Sequence, residues 1–174
     1  MPDPSSLPGT LVSTVLTIAA ATGDTELYDQ YLAQLEEYYR FFTALPAFGD
    51  PPLVQRTLTF ALSPAVRTQD TATLVAGRLA RAASRDAAWT FVQSEWPTLT
   101  QKLGTFQGIP RIIGALGAFC TTAAAAQVQQ FFATRAVASA ERTLRQALER
   151  IDNCALLMAR QSPALTSWLT AAAQ

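Results

Sequence analysis

The sequence predicts an all-α protein. Apolar residues recur three and four positions apart almost throughout, which is the spacing of one helix face. Period-two alternation is scarce and no Asn-Gly or Asp-Gly hairpin turn occurs, so the signals of paired strands are missing. The helical runs are short and closely connected, so each hairpin is too small to bury its own apolar face and must stack on a neighbour. The repeat is irregular, with a period of about 40 residues at best, and lacks the tetratricopeptide motif. Such spacing predicts a HEAT-like or armadillo-like right-handed superhelix of about nine or ten antiparallel helices.

Thr10 to Thr22 forms a first helix that Gly23 stops, and Asp24 offers an N-cap for a second carrying Leu27, Tyr28, Tyr31, Leu32 and Leu35. A third runs through Tyr39, Phe42 and Leu45 and closes at Pro46. Asp50-Pro51 pairs an N-cap with a proline suited to the first helical turn, opening a helix through Leu53, Val54, Leu58 and Leu62 that Ser63-Pro64 ends. Thr68 or Gln69 starts the next, through Leu74, Val75 and Leu79, with Asp70 where the macrodipole favours a carboxylate. Ser84 caps a single helix carrying Trp89, Val92 and Trp96, and a break from Gly104 to Gly108 precedes Ile109 to Phe119. Thr121 or Thr122 caps a helix ending in Phe131-Phe132. The longest helix, about Ser139 to Gln161, carries Leu144, Ala147, Leu148, Ile151, Ala155 and Met158 on one stripe. Pro163 is expected to start a separate terminal turn with Leu165, Trp168 and Leu169.

A chain of 174 residues with 49% apolar content can bury a sizeable core as one domain. We expect a loose leader over residues 1–9 and one helical domain over residues 10–174. The formal charge is zero, which supplies none of the attraction that a phosphate backbone requires, so no nucleic-acid partner is expected. No run reaches the roughly 20 apolar residues of a membrane span, and residues 1–9 contain Asp3 and no basic residue, unlike a secretory n-region. The expectation is therefore a soluble cytoplasmic protein without a membrane partner. Histidine is absent, which removes the H-E-x-x-H zinc motif and imidazole-based triads. Cys120 and Cys154 lie at apolar positions of helical segments, outside any C-x-x-C pair, and are expected as reduced core thiols.

Several segments in order resemble a known family. Ser13-Thr14-Val15-Leu16 leads to Gly23-Asp24, and YRFFTALPAFGDPPLVQRTLTFALSPAVRTQD follows over Tyr39 to Asp70. RDAAWTFVQSEW then spans Arg85 to Trp96, with Ser84 where the family pattern has Gly, followed by VQQFFA, ERTLRQALERI and LTSWL. Together these resemble the C-terminal helical domain of aminopeptidase N-like zinc metallopeptidases, a group that includes the endoplasmic-reticulum and puromycin-sensitive aminopeptidases. Most of the chain is covered, and it is similar to the distal part of that longer domain. The Gly-x-Met-Glu-Asn exopeptidase motif and the zinc site that accompany the domain in the family are absent here. What the resemblance implies is a non-catalytic accessory domain that caps the active-site cavity and contacts the distal part of a peptide substrate. Its partner would be an aminopeptidase catalytic domain, in cis or in trans. Zinc would belong to that domain, with no cofactor on this chain.

Candidate contact residues follow from polarity and position. Arg67, Gln69 and Asp70 fall in an interhelical turn, where they either satisfy helix ends or face a partner. Arg67 or Arg111 is suited to receive a peptide carboxylate in a bidentate pair. Tyr28, Tyr31, Tyr38 and Tyr39 exceed what one buried stripe requires, and with Asp70 are candidates for docking on a neighbouring domain. Trp89, Phe91 and Trp96 sit at helical spacing and are expected in the core. Two rival functions stand beside the accessory-domain reading. One is a free-standing helical adaptor that binds proteins through a concave face. The other is an autonomous enzyme using Cys120, Cys154 or a serine with Lys102 as base, which lacks a recognisable base or Gly-rich elbow beside any nucleophile.

Overall fold

A computed structural model describes residues 8–34, 39–104 and 108–172. Among the described residues there are helices and connections but no strand. The α-helices are α1 (Gly9–Ala21), α2 (Thr25–Ala33), α3 (Tyr39–Ala44), α4 (Pro51–Leu62), α5 (Thr68–Leu79), α6 (Arg85–Ser94), α7 (Trp96–Leu103), α8 (Gly108–Ala115), α9 (Thr122–Ala133) and α10 (Glu141–Ala172). Short 3-10 turns occupy Leu45–Ala47, Leu116–Ala118 and Ala138–Ala140. The chain divides into two compact units, Met1–Ile112 and Ile113–Gln174.

Local chemistry explains most of the boundaries. The Asp24 carboxylate accepts from the Leu27 N–H at 3.0 Å, and the Thr121 hydroxyl accepts from the Ala124 N–H at 3.1 Å, each satisfying an orphan donor at a helix start. Asp50 precedes Pro51 at the start of α4 but makes no side-chain cap. The expected helix from Ser84 through Trp96 is two helices. Glu95 leaves the helical region at φ −97°, ψ 14°, and Pro97 stands in the first turn of α7, where its missing N–H is harmless. Pro163 has the opposite outcome, since α10 passes through it without a stop. The proline removes the N–H that would reach Ala159, which is exposed so that water can take its place.

In the first unit, α1 packs on α3 and on the turn Leu45–Ala47, while α5 packs on α4, α6, α7 and that same turn. Phe48 is fully buried, and its ring meets Tyr28 edge-on at 5.0 Å and Tyr31 at 5.4 Å. The expected core aromatics Trp89, Phe91 and Trp96 are buried. Gly77 lets α5 approach the Leu45–Ala47 turn, because a Cβ there would lie 2.8 Å from Pro46 Cβ.

Among the described residues Arg78 is the largest fully buried side chain, at 0% exposure. Its Nη1 donates to the carbonyls of Pro46 and Phe48. Its Nη2 donates to Leu53 O at 3.0 Å and to the Thr57 hydroxyl. Thr57 spends its own proton on Leu53 O at 2.8 Å, so the Tyr28 hydroxyl, 2.9 Å away, is the donor in their contact. Burial pushes the guanidinium down to about 10, opposed by Tyr28 and reinforced by Arg81, and desolvation raises the Tyr28 phenol. One cation thus joins α5 to α4 and to the chain entering it.

In the second unit, α10 packs on the turn Leu116–Ala118 and on α9. Gly117 makes room for Arg150, whose Nε would lie 2.7 Å from an added Cβ and whose Nη2 donates to Gly114 O at 2.9 Å. The expectation of reduced thiols is overturned: Cys120 and Cys154 form a disulfide, with Cα atoms 5.0 Å apart across 34 residues of sequence. Folding of α10 against the segment before α9 brings together two cysteines whose sequence spacing carries no sign of it. Closing such a loop is worth about 4 kcal/mol in the chain-entropy treatment.

Two substitutions test the first unit, read by urea denaturation of the full chain through Trp fluorescence. Gly77→Ala overpacks α5 against a rigid proline and is expected to cost about 1–3 kcal/mol. Arg78→Met takes the guanidinium donors away from the buried Pro46 and Phe48 carbonyls, and takes a second donor from Leu53 O and the Thr57 hydroxyl; it is expected to cost about 3 kcal/mol or more. Unchanged midpoints would show that neither contact matters to the fold.

Candidate functional site

The turn between α4 and α5 is built from both helices. Ser63-Pro64 ends α4, buried Val66 anchors the connection, and the Arg67 carbonyl accepts from the N–H groups of Asp70 at 2.9 Å and Thr71 at 3.1 Å. The Thr71 hydroxyl donates to Ala61 O at 2.9 Å, fastening the start of α5 to the last turn of α4. Lys102 of α7 donates to the carbonyls of Ser63 at 2.6 Å and Leu62 at 3.2 Å, capping α4 with a cation as its dipole favours. Desolvation lowers this ammonium from the ordinary lysine value.

On that support the side chains of Arg67 and Gln69 are exposed, whereas Asp70 is 5% exposed and turned into the protein. Asp70 therefore belongs to the start of α5 and presents little surface for docking. Arg111 is exposed on α8, between buried Ile109 and Ile112. Among the exposed arginines of the first unit, which include Arg40 and Arg56, Arg67 thus stands just before α5 and Arg111 on α8; a guanidinium has the paired N–H donors that suit a carboxylate.

The tyrosine cluster separates. Tyr28 and Tyr31 are 0% exposed, the latter donating its hydroxyl to Leu16 O at 2.9 Å. Both phenols find partners inside the unit, which is why tyrosine can be buried there, and neither forms part of a docking face. Tyr39 is exposed at the start of α3, and Tyr38 lies outside the described residues. A large apolar surface occurs elsewhere: Leu156, Leu157, Met158, Leu165, Trp168 and Leu169 of α10 are each more than half exposed. Spacing marked Met158 as part of the core stripe of that helix, but only Ala147 and Ile151 of α10 are buried.

The groups invoked for autonomous catalysis are otherwise engaged. Cys120 and Cys154 are bonded to each other, Lys102 holds main-chain carbonyls, and the buried Ser63 hydroxyl makes no hydrogen bond to it. Among the described residues no group of three or more His, Cys, Asp or Glu residues could hold a metal ion, and no helix is long and apolar enough to cross a membrane. In the second unit an open cavity of about 130 Å³ is lined chiefly by Ile113, Phe132, Val137 and Leu144, with Arg135 and Glu141 also on its wall.

The family model of the ERAP1-like C-terminal domain matches residues 1–153. The chain is similar to Aminopeptidase M1 of Arabidopsis thaliana, 35% identical over 117 residues, which is 67% of this chain and 13% of that protein. It is similar to Aminopeptidase M1-A of Oryza sativa subsp. japonica, 31% identical over 119 residues, 67% of this chain and 13% of the relative. A match to the mitochondrial Aminopeptidase 2 of Saccharomyces cerevisiae extends over 170 residues at 24% identity, covering 95% of this chain and 18% of that protein. The chain thus spans less than a fifth of the length of these relatives. It belongs to the family of ERAP1-like C-terminal domains.

Proposed function

We propose that this chain is a non-catalytic C-terminal accessory domain of a zinc aminopeptidase, which caps the active-site cavity and contacts the distal part of a peptide substrate. The family match over residues 1–153 carries this reading, supported by relatives whose names are those of aminopeptidases. Bond cleavage and the zinc ion belong to a catalytic region on the parent enzyme, and this chain has no histidine with which to duplicate that site. Pairs such as α4 and α5, closely connected and packed together, support a HEAT-like stacking of helices.

In this reading Arg67 and Arg111, with Gln69 beside the first, receive the carboxylate end of a long peptide. Charge-assisted hydrogen bonds of that kind contribute about 1.5–3 kcal/mol. Tyr39 and the apolar face of α10 are the surfaces available for docking to the rest of the enzyme. The adaptor alternative makes the same use of exposed surface without a peptidase partner, and fold alone does not separate the two.

The test is kinetic. In an enzyme reconstituted from this chain and its catalytic region, Arg67→Ala combined with Arg111→Ala should raise KM for long peptides about 10-fold or more. Turnover of a single-residue chromogenic substrate should not change. Equal KM values on long peptides for the parent and the double variant would remove the two arginines from substrate recognition.

A further inference from the structure

The bond between Cys120 and Cys154 stands where α10 leaves its core. Ala147 and Ile151 are buried, Cys154 follows Ile151 by less than one turn, and the large apolar residues beyond it are all more than half exposed. The bridge is therefore the last fixed point of α10 on the unit. Both cysteines are half-buried, so a small thiol reaches them without global unfolding. The unit, Ile113–Gln174, is of a size at which a hydrophobic core alone leaves little surplus stability. A bond that closes a loop of 34 residues in such a unit contributes on the scale of the whole margin.

From this placement we infer that Cys120 and Cys154 form a redox switch, which fixes α10 to the segment before α9 when oxidised and releases it when a dithiol reductant cleaves the bond. A thiolate of the dithiol attacks one Sγ, the S–S bond breaks, and the other cysteine departs as thiolate and takes up a proton. The second thiol of the reductant then attacks the mixed disulfide, releasing the remaining cysteine. The cysteine pair gains two electrons and two protons, and the dithiol becomes a disulfide. The bond also bears on the cytoplasmic expectation: a permanent disulfide requires oxidising surroundings, whereas in a reducing cytosol it is transient and redox-sensing.

The test uses the full chain under native conditions, with excess dithiothreitol, alkylation of freed thiols and amide hydrogen exchange. Reduction should proceed without denaturant. It should lower protection of α9 and of the first half of α10 by at least about 100-fold, leaving α4 and α5 unchanged. Oxidised glutathione should restore the original pattern. A double variant, Cys120→Ser with Cys154→Ser, should show the reduced pattern at either redox state. Resistance of the bond to excess dithiol would make it a static staple, and equal protection of the oxidised and reduced chains would show that it controls nothing; either result overturns the switch.

Discussion

A guanidinium enclosed by the first unit is the constraint on which the arrangement of its helices depends. Removing a cation from water costs several kcal/mol, and around Arg78 that cost is offset by acceptors on α4 and on the chain that leads into it. The carbonyls of Pro46 and Phe48 belong to the stretch where the chain turns from α3 toward α4, and Leu53 O lies in the first turn of α4. One side chain therefore sets the position of α5 against both. The turn that presents Arg67 and Gln69 begins α5, and Thr71 and Lys102 secure it to the end of α4. Its position on the unit follows from these ties together with the hydrogen bonds of Arg78 to α4.

How far these features were legible in the sequence depended on how local their causes are. Asp24, Thr121 and the Ser63-Pro64 stop act within one helical turn, and their consequences followed from residue type and position. The apolar period located the core aromatics Trp89 and Phe91 for the same reason. Arg78 carries a signal of its burial in the sequence. It falls one turn after Leu74 on the apolar stripe of α5, and a charge at a core position implies a buried network to receive it. Pro97 and Pro163 show that a proline signals a break without deciding it. The first sits in a helix's opening turn, and the second is carried through an exposed stretch where the freed carbonyl is open to solvent.

Contacts between distant parts of the sequence were not legible. The Cys120–Cys154 bond joins segments 34 residues apart, and only the packing of α10 against the turn Leu116–Ala118 brings them within reach. The inward direction of Tyr28 and Tyr31 depends likewise on Thr57 and on Leu16 O, partners in other helices that no local pattern names. The candidate arginines were legible as exposed polar residues, but Asp70 was not legible as buried. The two units rely on different chemistry: a hydrogen-bonded cation in the first, and in the second a small core of Ile113, Leu116, Val128, Phe131 and Phe132 with a covalent tie.

Membership in the ERAP1-like C-terminal domain family and a span of less than a fifth of each compared relative give the exposed surfaces a context. The leucines, methionine and tryptophan exposed along α10 form an apolar surface of the kind that marks interaction sites. We propose that its partner is the catalytic region of a zinc aminopeptidase. Titration of this chain against a catalytic region bearing H-E-x-x-H, followed by sedimentation velocity, tests it most directly. A saturable complex of one copy of each is predicted, whereas independent sedimentation of the two at micromolar concentrations would contradict the account.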